Sequence, residues 1–125
     1  MTRFSKYFID HKSLTKKAII KINKLGGSSL IVVKNKNKLQ GILSSYDLRK
    51  AIINNNILNK TIASIYNKKP KYIYFDEFKK KIDRMLPTVK KINIIPVIER
   101  NSKKIVEVLS YSKINLLKNK KLKPI

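Results

Sequence analysis

The chain has 125 residues, 30 of them basic and seven acidic, giving a formal charge of +23, with no cysteine and one histidine, His11. That length allows one compact unit or two very small ones, burying roughly two thirds of the unfolded surface. No disulfide or thiolate metal site can be assembled from this composition, and a lone histidine supports neither a histidine-based metal site nor a triad. Few acidic groups and no glycine-rich phosphate loop remain for acid–base or phosphoryl chemistry, so a non-catalytic role is expected.

The charge invites a nucleic-acid reading, which the kind of charge tempers. Lysine supplies 26 of the 30 basic residues and arginine only four, whereas bidentate recognition of phosphates and bases favours arginine. Lysine, isoleucine and asparagine together make 58 of the 125 residues. All three have A/T-rich codons, so genome bias accounts for much of the lysine. The basic residues are scattered through both halves, which implies only non-specific, salt-screened attraction to nucleic acid and other anions. No apolar run approaches a membrane span, and the first residues lack the apolar stretch of a secretory signal. A cytoplasmic chain with no membrane partner is the expectation.

In chain order, Tyr7-Phe8-Ile9 predicts a short strand, and Ser13 an N-cap for a helix with apolar Leu14, Ala18, Ile19, Ile22 and Leu25. Gly26-Gly27 ends that helix, and Leu30 to Val33 suits a buried strand. A polar turn, Lys34 to Lys38, returns the chain as Leu39 to Leu43, and a helix runs on to about Asn54. Ile57 to Asn67 is a linker with one helical turn around Ile62 and Ile65. The order then repeats. Tyr72-Ile73-Tyr74 predicts a strand, and Asp76 caps a helix carrying Phe78, Ile82, Met85 and Leu86. Ile94 to Ile98 is a strand whose Pro96 argues for its start or a sheet edge. Lys104 to Leu109 returns, and Ser110 opens a helix with Ile114 and Leu117. A shift of 66 superimposes Lys38 on Lys104 and Ser44 on Ser110, 65 superimposes Lys6-Tyr7 on Lys71-Tyr72, and 64 superimposes the first helices. The chain reads as a tandem duplication.

Within the first repeat, Gly41-Ile42-Leu43-Ser44-Ser45-Tyr46-Asp47 carries the chemistry. Ser44 stands where strand becomes helix, and Asp47 lies in the helix's first turn. Free N–H groups with a hydroxyl beside them make a phosphate seat. A carboxylate one turn on can accept hydrogen bonds from a ribose diol. The same spacing also makes a capping box, with Asp in place of the usual Glu or Gln, and that needs no ligand.

A duplicated strand-helix-strand-strand-helix unit with Gly-apolar-apolar-Ser-x-x-Asp at this junction resembles the cystathionine-β-synthase (CBS) domain pair, over about residues 6–117. The resemblance implies an α/β (α+β) fold of two tandem β-α-β-β-α repeats packed as one pseudo-twofold disc. Repeat 1 would cover 1–56, a linker 57–69, repeat 2 70–118, and a basic tail 119–125. It implies a regulatory site for an adenine nucleotide, AMP, ADP or ATP. Ser44 would lie near the phosphates, Asp47 on the ribose hydroxyls, and Arg49 as a further phosphate partner. Gly41 would let backbone approach the ligand. Ile9 and the backbone of Ser28, Ser29 and Leu30 would form the adenine wall. The second repeat departs from the motif: Glu107 replaces the glycine and Lys113 the aspartate, while Ser110 survives, so a degenerate second site is expected.

The CBS pairs of bacterial sugar-phosphate nucleotidyltransferases are the more similar subfamily, through Asp47-Leu48-Arg49-Lys50 and the linker Ile62 to Pro70. Leu122-Lys123-Pro124-Ile125 looks like the lead-in to such an enzyme's catalytic domain, which would make this chain a regulatory fragment. The resemblance also implies a homodimer, joined through helical faces that include Leu48, Ala51 and Ile52. The alternatives are a ligand-free dimerisation module and a basic nucleic-acid binder.

Overall fold

The computed structural model describes residues 4–27, 29–54, 57–78, 80, 81, 84 and 94–110. A 3-10 turn at Ser5–Tyr7 leads into β1 (Phe8–Asp10), α1 (Thr15–Lys24), β2 (Ser29–Lys34), β3 (Lys38–Ser44) and α2 (Ser45–Asn54). After a 3-10 turn at Ile62–Ser64 come β4 (Ile73–Tyr74), a further 3-10 turn at Phe75–Glu77, β5 (Ile94–Ile98) and β6 (Ile105–Ser110). In each half the central strand pairs parallel with the strand before it and antiparallel with the strand after it. Phe78, Lys80, Lys81 and Arg84 have helical backbone, where the second half's first helix was predicted. The rest of that helix and the helix after Ser110 lie outside the described residues.

The continuous apolar run of β2 is explained by cover on both faces. Ile31 and Val33 join Phe8 and Ile42 in a layer shared with Ile94, Ile98, Ile105 and Val108 of the second sheet. Leu30 and Val32 face the other way, against Ala18 and Ile22 of α1, Leu48 of α2, and Ile62. The two sheets thus share one apolar layer, and helices cover the outer face of the first. Each fully buried leucine or isoleucine there contributes on the order of 1.5–3 kcal/mol.

Three local expectations are corrected. Ser13 does not cap α1, whose N-cap is Leu14 with no side-chain cap bond. The linker caps it instead: the N–H groups of Thr15 and Lys16 donate to the carbonyls of Lys60 and Leu58 at 2.8 and 3.2 Å. Leu14, expected on the apolar face, is 37% exposed. The Asp76 carboxylate holds Arg100 in a two-bonded pair at 2.8 and 2.9 Å, while most of the helix it was expected to cap lies outside the described residues. Pro96 is neither at a strand start nor on an edge, since β5 is the central strand. It fits because two-residue β4 pairs only with Val97 and Ile98, so that Pro96 has a ladder partner on one side alone, Val108.

Ladder partners also refine the duplication. Ile9–Val32–Gly41 and Ile73–Val97–Glu107 are equivalent rungs. The first strands therefore match at an offset of 64, not 65; one residue is gained before the central strand and one in the hairpin turn. Where the hairpins meet, the offset of 66 appears as symmetry. Leu39 N–H donates to the Lys103 carbonyl at 3.1 Å, and Ile105 N–H donates to that of Asn37 at 2.9 Å. Asn37 and Lys103, matching residues, both have left-handed backbone, with φ of 73° and 63°.

Candidate ligand site at the strand-to-helix junction

Ser44 and Asp47 bond each other twice. Ser44 N–H donates to Asp47 Oδ2, and Asp47 N–H donates to Ser44 Oγ, both at 3.1 Å. This is the capping box that the spacing allowed, with aspartate long enough to close it. It uses only part of what the two side chains offer. The Ser44 hydroxyl accepts in the cap and keeps its own proton to donate, and Asp47 Oδ1 has no hydrogen-bond partner among the described residues. Both residues are half-buried.

Neighbouring backbone converges on the pair. Ser29 stands opposite Ser44 in the β2–β3 ladder. Ser45 Oγ donates to the Gly27 carbonyl at 3.1 Å, tying the start of α2 to the turn that ends α1. That turn needs its glycines, since Gly26 and Gly27 have φ of 81° and 89°. Arg49 is exposed and, with Ser45, Gly27 and Asn23, edges a groove of about 260 Å³ floored by Ile19, Ile22, Leu48 and Ile52. Ile9 and Leu30, 3% and 0% exposed, belong to the core and support the junction from beneath. Ser28 and Lys113 lie outside the described residues.

The room left at Gly41 is filled by the chain itself. A Cβ there would collide with the Asn67 carbonyl and stand 2.5 Å from Cδ1 of the Tyr66 ring. Ile42 and Asn67 exchange backbone bonds at 3.0 and 2.8 Å, so the linker adds to the free edge of β3 at that point. Sequence reasoning missed this contact, although an isolated glycine in an apolar strand signals a close approach of some kind.

A scan of protein-family models finds no match to the chain, and a search of curated protein sequences finds none either. Solved structures do match. The CBS-pair protein CBSX2 from Arabidopsis thaliana superimposes with a TM-score of 0.75 at 17% identity, over 97% of this chain and 92% of that one. The CBS domain pair of protein MJ0100, in complex with 5′-methylthioadenosine and S-adenosyl-L-methionine, gives 0.66 at 23% identity, over 88% of each chain. The fold is that of a CBS domain pair. The cytosolic domain of the magnesium channel MgtE in complex with ATP also superimposes, with a TM-score of 0.68 at 18% identity, over 90% of this chain and 45% of that one.

The second half of the chain differs in charge as well as in motif. Where Gly41 faces the linker in the first half, Glu107 turns its Oε1 back to accept from Val108 N–H at 3.1 Å. Nearby, Arg100 lies 4.0 Å from the Tyr74 ring centroid and bonds Asp76 and Glu77. Lys103 Nζ and Tyr72 both reach the Tyr74 hydroxyl at 3.2 Å. The bond with Tyr72, then that from Lys103, holds the Tyr74 phenol below its ordinary pKa. No local pattern announces this cluster, whose bonded partners lie up to 29 residues apart. Among the described residues no helix is long and apolar enough to cross a membrane, and no group of His, Cys, Asp or Glu could hold a metal ion.

Proposed function

We propose that the chain is a non-catalytic regulatory module that binds one adenine nucleotide per chain at the Ser44–Asp47 junction. The observation that carries this is the partial use of the cap. The Ser44 hydroxyl proton suits a phosphate oxygen, Asp47 Oδ1 suits a ribose hydroxyl, and Arg49 adds positive charge one step along α2. Relatives in fold held adenosyl compounds or ATP, which supports the same ligand class here. AMP, ADP and ATP are the ligands to compare, and the enzyme regulated is a sugar-phosphate nucleotidyltransferase. Ser110 and Lys113 make the second repeat's junction a degenerate site.

The test is calorimetry with each nucleotide at physiological salt. One site per chain is expected; two equal sites, or no heat with any nucleotide, would refute the proposal. Regulation is tested by assaying the nucleotidyltransferase joined to this module, with and without Asp47→Asn, across nucleotide concentrations.

The second reading is a ligand-free dimerisation module. It is favoured by a cap that is complete without ligand and by a glycine whose space the linker fills. The two readings share a homodimer. Leu48 is buried, so the surface for it is Ile20, Ile52 and Ile53, which are 57%, 45% and 82% exposed. A monomeric mass by light scattering at tens of micromolar would exclude the dimer.

A further inference from the structure

We propose that the joined hairpin tips form a second, separate seat, for a compact and multiply charged phosphate-type anion, centred on Lys38 and Lys104. These two residues face each other as an antiparallel bridge, flanked on both sides by the bonds Leu39 N–H to Lys103 carbonyl and Ile105 N–H to Asn37 carbonyl. A pair flanked by hydrogen bonds in this way, and not joined by them, is the closest kind of cross-strand pair, with both side chains on one face. Like charges so placed repel. The backbone register fixes where the two side chains start, so both ammonium groups are tethered to one spot on the surface.

Among the described residues no ion pair joins a carboxylate to either lysine. The ion pairs among the described residues join Lys81 with Glu77, and Arg100 with Asp76 and Glu77; none reaches Lys34, Lys36, Lys38 or Lys104. Lys36 sits at the tip itself in left-handed backbone, φ 58°. Lys103 is held nearby by the Tyr74 hydroxyl. The hairpin lysines thus come from both repeats and meet at the local pseudo-twofold of the backbone. That matches a compact anion better than a long one, which needs a row of charges. Lys38 and Ser44 are the two ends of β3, on the order of 20 Å apart at about 3.3 Å per residue. The seat is therefore distinct from the Ser44–Asp47 junction.

Inorganic tripolyphosphate is the probe, titrated calorimetrically into the 125-residue chain at physiological salt. Losing two charge-assisted bonds in Lys38→Gln/Lys104→Gln should weaken binding roughly tenfold or more. The melting temperature without ligand should stay level or rise, because the repulsion is gone. Lys38→Arg/Lys104→Arg should retain binding, as should Lys16→Gln/Lys24→Gln on α1. No heat with tripolyphosphate overturns the seat, and so does an equal loss in the α1 variant, which would mean diffuse attraction. An oligonucleotide that outcompetes tripolyphosphate, with salt dependence growing with its length, would overturn the compact ligand in favour of a polyanion.

Discussion

Thr15 is tied to Lys60 twice: its N–H and its hydroxyl both donate to the Lys60 carbonyl, each at 2.8 Å. The linker is thereby the N-terminal cap of α1 as well as a connection, and the Ser13 carbonyl returns the favour by accepting from Ile62 N–H at 2.9 Å. Thr15→Val keeps the branched shape and the N–H bond but buries a methyl against a carbonyl. A loss of about 0.5–1.5 kcal/mol is expected, read from denaturant midpoints. An unchanged midpoint would mean that the hydroxyl bond adds nothing to the docking.

Gly41→Ala tests why that glycine is there. The added methyl meets backbone at Asn67 and the Tyr66 ring, so the linker must lift from the β3 edge. Overpacking of this kind costs about 1–3 kcal/mol. Adding Tyr66→Ala to Gly41→Ala should recover part of the loss, by opening the ring side of the contact. If Gly41→Ala leaves stability unaltered and changes only nucleotide affinity, the room at Gly41 serves a ligand and not the linker.

Acid should loosen the second half's charge cluster. The bonds from Arg100 hold the Asp76 carboxyl below its usual 3.8, and those from Lys81 and then Arg100 hold Glu77 below its usual 4.5. Carboxyl pKa values that folding depresses contribute stability above the unfolded values, lost as pH falls through the folded ones. The melting-temperature gap between wild type and Arg100→Gln should thus be constant above about pH 5 and narrow below the usual carboxyl values. Asp76 and Arg100 are exposed and Glu77 is partly so, so the gap should be small and shrink in salt. A gap that widens in acid would contradict the assignment.

Apolar periodicity made the element order and the duplication legible. Long runs such as Leu30 to Val33 can only be buried, and turn residues at Lys34 to Lys38 leave one way for the chain to return. The junction's cap was legible too, since Ser44 and Asp47 are three residues apart. What stayed hidden is non-local. Nothing near Gly41 says that Tyr66, 25 residues on, will cover it, and nothing near Asp76 says that Arg100 will bind its carboxylate. Pro96 misled because a proline's tolerance depends on its neighbour strand's length, which its own stretch does not encode.

Asp47→Asn separates the site from the cap. In the ligand-free chain Asp47 Oδ2 accepts from Ser44 N–H, and the amide oxygen of asparagine can take that bond over. Only the favourable charge near the start of α2 is lost, at well under about 1 kcal/mol. With ligand the outcome differs, because the cap occupies one oxygen and leaves Oδ1 for the ribose. In asparagine the group left over is NH2, a donor set against hydroxyl donors. Losing a charge-assisted bond should weaken nucleotide binding by about 1.5–3 kcal/mol, more than tenfold. The variant should therefore melt almost normally without ligand and gain little from it. A large fall in ligand-free stability with nucleotide affinity intact would reduce Ser44 and Asp47 to a helix cap, and would move the ligand, if one binds, elsewhere on the fold.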